Sequence, residues 1–76
     1  MRDVVISLIS EKQKVDPENL KDETELSQLG IDSLKAITLL YELEERLSLE
    51  IPNEVFDRIQ TIGDVVAELE SLKGAD

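Results

Sequence analysis

The sequence predicts an all-α fold: a four-helix bundle of three longer helices and a short third helix, with a long first loop. Three observations carry this. Apolar residues recur at helical spacing in separate segments, and no stretch alternates as a strand does. Helix-capping residues stand in front of these segments, at Asp16, Asp32 and Thr61. The chain has no Cys, so helix packing alone must hold it. Its 76 residues make one domain, 1–76. A chain of this size buries only about 60% of the surface it exposes when unfolded.

The first helix is predicted from Arg2 or Asp3 to Lys12. Val4, Val5, Leu8 and Ile9 share one face, and Arg2, Asp3, Ser7, Glu11 and Lys12 take the other. Lys12 and Lys14 suit the negative pole of the helix dipole. Residues 13–32 follow as a long connection. Asp16-Pro17-Glu18-Asn19 reads as one capped turn with Pro at its first position. Val15, Leu20, Leu26, Leu29 and Ile31 are spaced apolar anchors that pin the loop to the bundle. Asp22, Glu23 and Glu25 lack the alternating ligands and central Gly of a calcium loop, so they read as solvated.

The second helix is predicted over Ser33 to Ser48. At 100° per residue, Ala36, Leu39, Leu40, Leu43 and Leu47 form one stripe, which is core. Leu34, Ile37 and Tyr41 form a second stripe about 140° away. A small bundle does not easily cover both, so the second stripe reads as a docking strip, rimmed by Glu44 and Glu45. The competing reading packs Ile37 and Tyr41 beneath the loop or the third helix. Ile51-Pro52 then breaks the chain, because Pro pushes the residue before it toward extended geometry. A short third helix is predicted from Asn53 to Ile59, with Val55, Phe56 and Ile59 as its apolar residues. Thr61 and Asp64 resemble a capping box for a last helix, which turns Ile62, Val65, Val66, Leu69 and Leu72 inward and ends near Lys73 and Gly74.

Eighteen acidic against eight basic side chains give a formal charge of −10. Such a surface repels nucleic acid and anionic membranes and attracts basic protein surfaces. It also repels itself, so added salt or divalent cation should raise the melting temperature; a flat salt series would contradict this. There is no His, and the carboxylate pairs lie in runs such as Glu44-Glu45. Hydrolytic triads and metal sites lack their usual groups, so the chain reads as no enzyme of its own and as holding no metal. No run is apolar enough for a membrane span, and no signal-peptide pattern opens the chain. These features, with the absence of Cys, fit a cytoplasmic monomer.

The most informative stretch is Leu29-Gly30-Ile31-Asp32-Ser33-Leu34. Asp32 caps a helix whose first residue is Ser33, so the Ser33 hydroxyl stands in solvent at the positive end of a dipole. A phosphate attached there would be stabilised by the free N–H groups. This stretch resembles the phosphopantetheine attachment motif of acyl carrier proteins. The resemblance runs from Val4 to Leu72 and includes Ile51-Pro52. It implies a discrete (type II) carrier whose Ser33 bears 4′-phosphopantetheine from coenzyme A, with acyl groups held as thioesters.

The resemblance implies further roles. Asp32, besides capping, would meet the phosphopantetheinyl transferase or its metal ion. Leu34, Ile37, Tyr41, Glu44 and Glu45 occupy the positions of a recognition helix read by basic patches on acyl-transferring or condensing synthase enzymes. Phe56, Ile59 and Leu43 are candidates for the wall of an acyl cavity, although simple core packing is the plainer reading of Phe56. Lys35, Thr38 and Arg46 depart from the family's acidic pattern. The partner face is therefore less negative than usual, which weighs against housekeeping fatty acid synthesis and towards a dedicated partner in polyketide, lipid-modifying or other specialised biosynthesis, with all of these kept as the expected field. An aminoacyl or peptidyl carrier is the near alternative; Ile31, where those often have a second Gly, favours the acyl carrier. An unmodified acidic interaction module is the more distant one.

Overall fold

The structure is a computed structural model that describes residues 2–74; Met1, Ala75 and Asp76, the ends of the expected 1–76 domain, lie outside the described residues. Four helices form among them: α1 (Arg2–Gln13), α2 (Ser33–Leu47), α3 (Asn53–Phe56) and α4 (Ile62–Gly74). Two short 3₁₀ turns, Pro17–Asn19 and Leu26–Leu29, interrupt the connection from α1 to α2.

The first turn, α2 and α4 start where a side chain supplies a partner for an orphan backbone donor. Asp16 accepts from the Glu18 N–H at 2.9 Å and opens the first turn. The predicted box at α4 forms in full. Thr61 Oγ1 accepts from the Asp64 N–H at 3.1 Å, and Asp64 Oδ2 accepts from the Thr61 N–H at 3.1 Å and the Gln60 N–H at 2.9 Å. Asp therefore serves where Glu or Gln is usual, because its shorter arm still reaches two backbone donors. Helix ends use the left-handed region: Gly30 follows the second turn at φ 80°, and Lys14 and Ser48 adopt φ 55° and 54° after α1 and α2.

The core is apolar throughout. Val5, Leu8 and Ile9 of α1 meet Leu39, Leu40 and Leu43 of α2 and Ile62, Val65, Val66 and Leu69 of α4. Each such side chain contributes about 1.5–3 kcal/mol on burial. The long connection joins this core through buried Leu20, Leu26 and Ile31, with Val15 and Leu29 half-buried beside them. It is also stitched to Gln60 and to the first residues of α4. The Leu26 N–H donates to Gln60 O at 2.8 Å, Ile62 N–H to Thr24 O at 3.0 Å and Gly63 N–H to Asp22 O at 2.9 Å. The nineteen residues between α1 and α2 are thus held mainly by buried anchors and by backbone bonds to the start of α4, with only two short turns of regular structure of their own.

Three boundaries differ from expectation, the first only in that α1 runs one residue past Lys12 to Gln13. The third helix stops at Phe56 instead of Ile59, because the Asp57 N–H turns back to Glu54 O and Val55 O and closes the helix after one turn. Val55, Phe56 and Ile59 have a spacing that a single turn followed by an irregular segment satisfies equally well. The second helix ends at Leu47, with Ser48 as its left-handed cap.

Candidate functional site

The site is built at the start of α2. Asp32 has extended backbone geometry (φ −87°, ψ −174°), and its Oδ1 accepts from the Lys35 N–H at 2.9 Å. The Asp32 carbonyl accepts the first helical bond, from the Ala36 N–H at 2.8 Å. Four N–H groups open a helix without intrahelical partners. Here Asp32 satisfies the one on Lys35, while those of Ser33 and Leu34 make no hydrogen bond among the described residues, and Ser33 is exposed. No step of this arrangement is loose. The preceding turn is tied to α1 by Gln13 Nε2, which donates to Leu29 O at 2.6 Å, and Ile31 is buried under the helix start.

A cleft of about 390 Å³ opens beside Ser33. Its apolar floor comes from Leu26, Ile31, Ala36, Ile37, Phe56 and Ile59. Glu25, Ser27, Asp57 and Gln60 supply a polar rim. The cleft therefore joins three parts of the chain far apart in sequence: the second 3₁₀ turn, the first half of α2, and the irregular segment after α3. Glu25 and Gln60 come together because the bridge between Glu25 and Thr61 closes the loop onto the α4 cap. Nothing local in the sequence announces that pairing, and Glu25 reads there as part of a solvated run.

The predicted docking strip divides. Leu34 is 76% exposed and Tyr41 55% exposed, and they are the large exposed hydrophobic residues among those described. Ile37 is half-buried and turns into the cleft. Tyr41 leans on Phe56, edge to face, with ring centroids 6.0 Å apart and planes at 79°. Leu34 is therefore left open to solvent, Tyr41 is open on one side and packs on α3 with the other, and Ile37 packs into the cleft. Glu45 is exposed. Glu44 is half-buried, and its Oε2 accepts from the Ile51 N–H at 2.7 Å. That bond ties the end of α2 to the segment before α3, so Glu44 serves the fold as well as the rim.

The cavity candidates also divide. Phe56 and Ile59 line the cleft, half-buried, while Leu43 is fully buried in the core and is not among the residues that line this cleft. Of the departures from the acidic pattern, Arg46 faces α1, 3.7 Å from Glu11, and leaves the outer face. Lys35 is exposed and makes no ion pair among the described residues. No group of side chains among the described residues has the makings of a metal site, and no helix of the structure is long and apolar enough to cross a membrane.

The chain's relatives share this architecture. A family model described as the phosphopantetheine attachment site matches residues 3–69. An acyl carrier protein of Wolinella succinogenes is 39% identical over 72 residues, covering 93% of this chain and 95% of that one. An acyl carrier protein of Prochlorococcus marinus is 38% identical over 71 residues, covering 92% and 89%. The crystal structure of an acyl carrier protein from Thermotoga maritima superimposes with a TM-score of 0.78 at 27% identity, over 97% of this chain and 88% of that chain. The capped helix start, the exposed serine on it and these matches lead to one conclusion: the chain belongs to the acyl carrier protein family, carriers rather than enzymes, with covalently attached 4′-phosphopantetheine as the prosthetic group.

Proposed function

We infer that Ser33 is the attachment residue and that the protein presents acyl intermediates to partner enzymes of fatty acid, polyketide or specialised lipid biosynthesis. The observation that carries this is the exposed Ser33 as first residue of a helix whose cap is already occupied. Asp32 is spent on the Lys35 N–H, so the N–H groups of Ser33 and Leu34 are free for a phosphodiester on Ser33 Oγ. Attachment by a phosphopantetheinyl transferase forms the Ser33 Oγ–P bond and breaks the pyrophosphate bond of coenzyme A, releasing adenosine 3′,5′-bisphosphate; the Ser33 proton leaves to solvent. The bound group supplies a terminal thiol that holds acyl chains as thioesters.

The chain's own residues do the rest. Asp32 fixes the helix start, and Gln13 and Ile31 fix the turn that leads into it. Ile37, Phe56 and Ile59 offer an apolar floor next to the attachment point. Leu34 and Tyr41, with Glu45 beside them, offer a docking face. The test is intact mass after incubation with coenzyme A, magnesium and a broad-specificity transferase, with Ser33→Ala in parallel. One added phosphopantetheine on the unmodified protein and none on the variant is expected. No addition to a folded, initially unmodified sample would overturn the reading. An octanoyl-loaded sample then tests the cleft. Methyl shifts at Ile37 and Ile59 with none at Leu40 and Leu43 support it, and shifts confined to Leu40 and Leu43 move the cargo into the core.

A further inference from the structure

The outer face of α2 changes sign along its length. Leu34, Thr38, Tyr41 and Glu45 recur every three or four residues and are all exposed, so they define one line of that face. Lys35 flanks this line beside Leu34. Glu45 and Glu50 flank its other end, around a groove they share with Tyr41 and Leu49. From Lys35 to Glu45 is ten residues, a rise of about 15 Å. That exceeds the screening length of about 8 Å at physiological salt, so each end is read separately by whatever docks there.

The other cations of this region are already matched. Lys12 pairs with Glu42 at 2.8 Å, and Arg46 faces Glu11. Lys35 is different. On the helical wheel it lies about 200° from Ser33, away from a phosphodiester on that residue. Asp32 holds the backbone of Lys35 and not its ammonium group. The acids nearest Ser33, namely Glu25, Asp32 and Asp57, line the cleft on the other flank of α2. A wholly basic docking patch would thus meet attraction at Glu45 and Glu50 and repulsion at Lys35.

We propose that this face docks a partner enzyme of mixed charge, with cationic side chains opposite Glu45 and Glu50, an apolar socket for Leu34 and Tyr41, and a carboxylate opposite Lys35. The proposal rests on the carrier reading, since it places the partner's active site next to Ser33. Charge complementarity names the occupant: an antiparallel second copy would also match Lys35 to Glu45, but two chains of formal charge −10 repel one another.

The probe is a β-ketoacyl condensing enzyme chosen for a wholly basic docking patch, titrated with the phosphopantetheine-loaded protein at low and physiological salt. Lys35→Glu should tighten binding about tenfold, as the product of repulsion removed and attraction gained, each about threefold for exposed charges. Glu45→Lys should weaken it by a similar factor. Changing the condensing-enzyme cation that faces Lys35 to Glu should reverse the order, so that the natural Lys35 protein binds better than Lys35→Glu. All three differences should shrink as salt rises. Equal affinity of Lys35→Glu and the natural protein for both enzymes would overturn the proposal. So would a concentration-dependent dimer in sedimentation that Lys35→Glu abolishes, because a second copy would then cover the face. Mass addition at Ser33 is scored first. Its failure removes the carrier reading, whereas addition followed by indifference to Lys35 removes this proposal alone.

Discussion

Leu43 and Tyr41 stand two residues apart on α2 and are governed by different physics. Leu43 is fully buried among residues of three helices, and its identity is set by the shape of that space. Tyr41 is 55% exposed, touches Phe56 at one edge, and offers the rest of its ring to solvent. The inner face of α2 answers to the fold, and on the proposed reading the outer face answers to whatever comes to Ser33. One helix can do both because its cap, its loop and its inner face hold it, with the Tyr41–Phe56 edge contact as the outer line's tie to α3. The comparison predicts that substitutions separate cleanly: inner ones change stability and leave loading intact per folded molecule, and outer ones do the reverse.

The largest effect should come from Leu43→Ala. Truncating a fully buried Leu costs about 3 kcal/mol through lost transfer energy and the cavity left behind. A domain of this size holds only several kcal/mol in total, so the variant should unfold at much lower urea. A midpoint shift equal to less than about 1 kcal/mol would show that the inner face is less tightly packed than its burial indicates.

Gly63→Ala comes next and probes the loop that supports the helix start. A Cβ on Gly63 would lie 3.0 Å from Asp22 O and 3.2 Å from Asp22 Cβ, both within the first loop. Either the loop moves or the Gly63 N–H bond to Asp22 O is lost. The expected loss is about 1–3 kcal/mol, although Ala is the better helix former. Amide exchange near Ser33 should speed up with it. Unchanged exchange there would mean that the loop and the attachment site are not coupled.

These two positions show why part of the molecule was legible in the sequence and part was not. Asp16, Asp32 and the Thr61–Asp64 pair work through neighbours within four residues, so local chemistry announces them. The apolar stripes of α1, α2 and α4 were legible for the same reason, since a 3.6-residue period is a local signal. The clamp of Gly63 on Asp22 spans forty-one positions of sequence, and the bridge of Glu25 to Thr61 spans thirty-six. Such pairings follow from how the loop lies on the bundle, and no single residue carries them. The same holds at the candidate site. The exposed start of α2 at Ser33 was legible, whereas the cleft rim of Glu25, Asp57 and Gln60 was not. The length of α3 was overread, because two apolar residues one turn apart cannot distinguish a helix of one turn from one of two.

Glu44 is where the comparison can break. It stands between the two faces and reads in sequence as a docking acid, yet its carboxylate accepts from the Ile51 N–H at 2.7 Å. Glu44→Ala leaves a half-buried N–H without that acceptor and should cost about 1–2 kcal/mol. Glu44→Gln keeps an acceptor oxygen and removes the charge, so it should restore most of the stability. If both variants lose stability equally, charge and not hydrogen bonding holds the α2–α3 joint. If neither does, Glu44 belongs with the outer face after all.

Leu34→Ala should have the smallest effect on stability and is the sharpest test of the division. Leu34 is 76% exposed, so truncation leaves no cavity, and Ala favours the helix at least as well. The urea midpoint should move by less than about 0.5 kcal/mol. Leu34 nevertheless lies next to Ser33, at the most exposed end of the outer line of α2. On the proposed reading, a transferase that reaches Ser33 Oγ docks over this leucine and buries it. Removing three carbons of a buried anchor weakens such a contact by about 1–2 kcal/mol, which predicts a five- to thirty-fold lower kcat/KM for phosphopantetheine transfer. The loss should appear mainly in KM, because the side chain touches the partner and not the reacting oxygen. A variant that is both stable and loaded at the natural rate would show that the exposed leucine has no part in recognition, and that Tyr41 and the charges alone define the outer face.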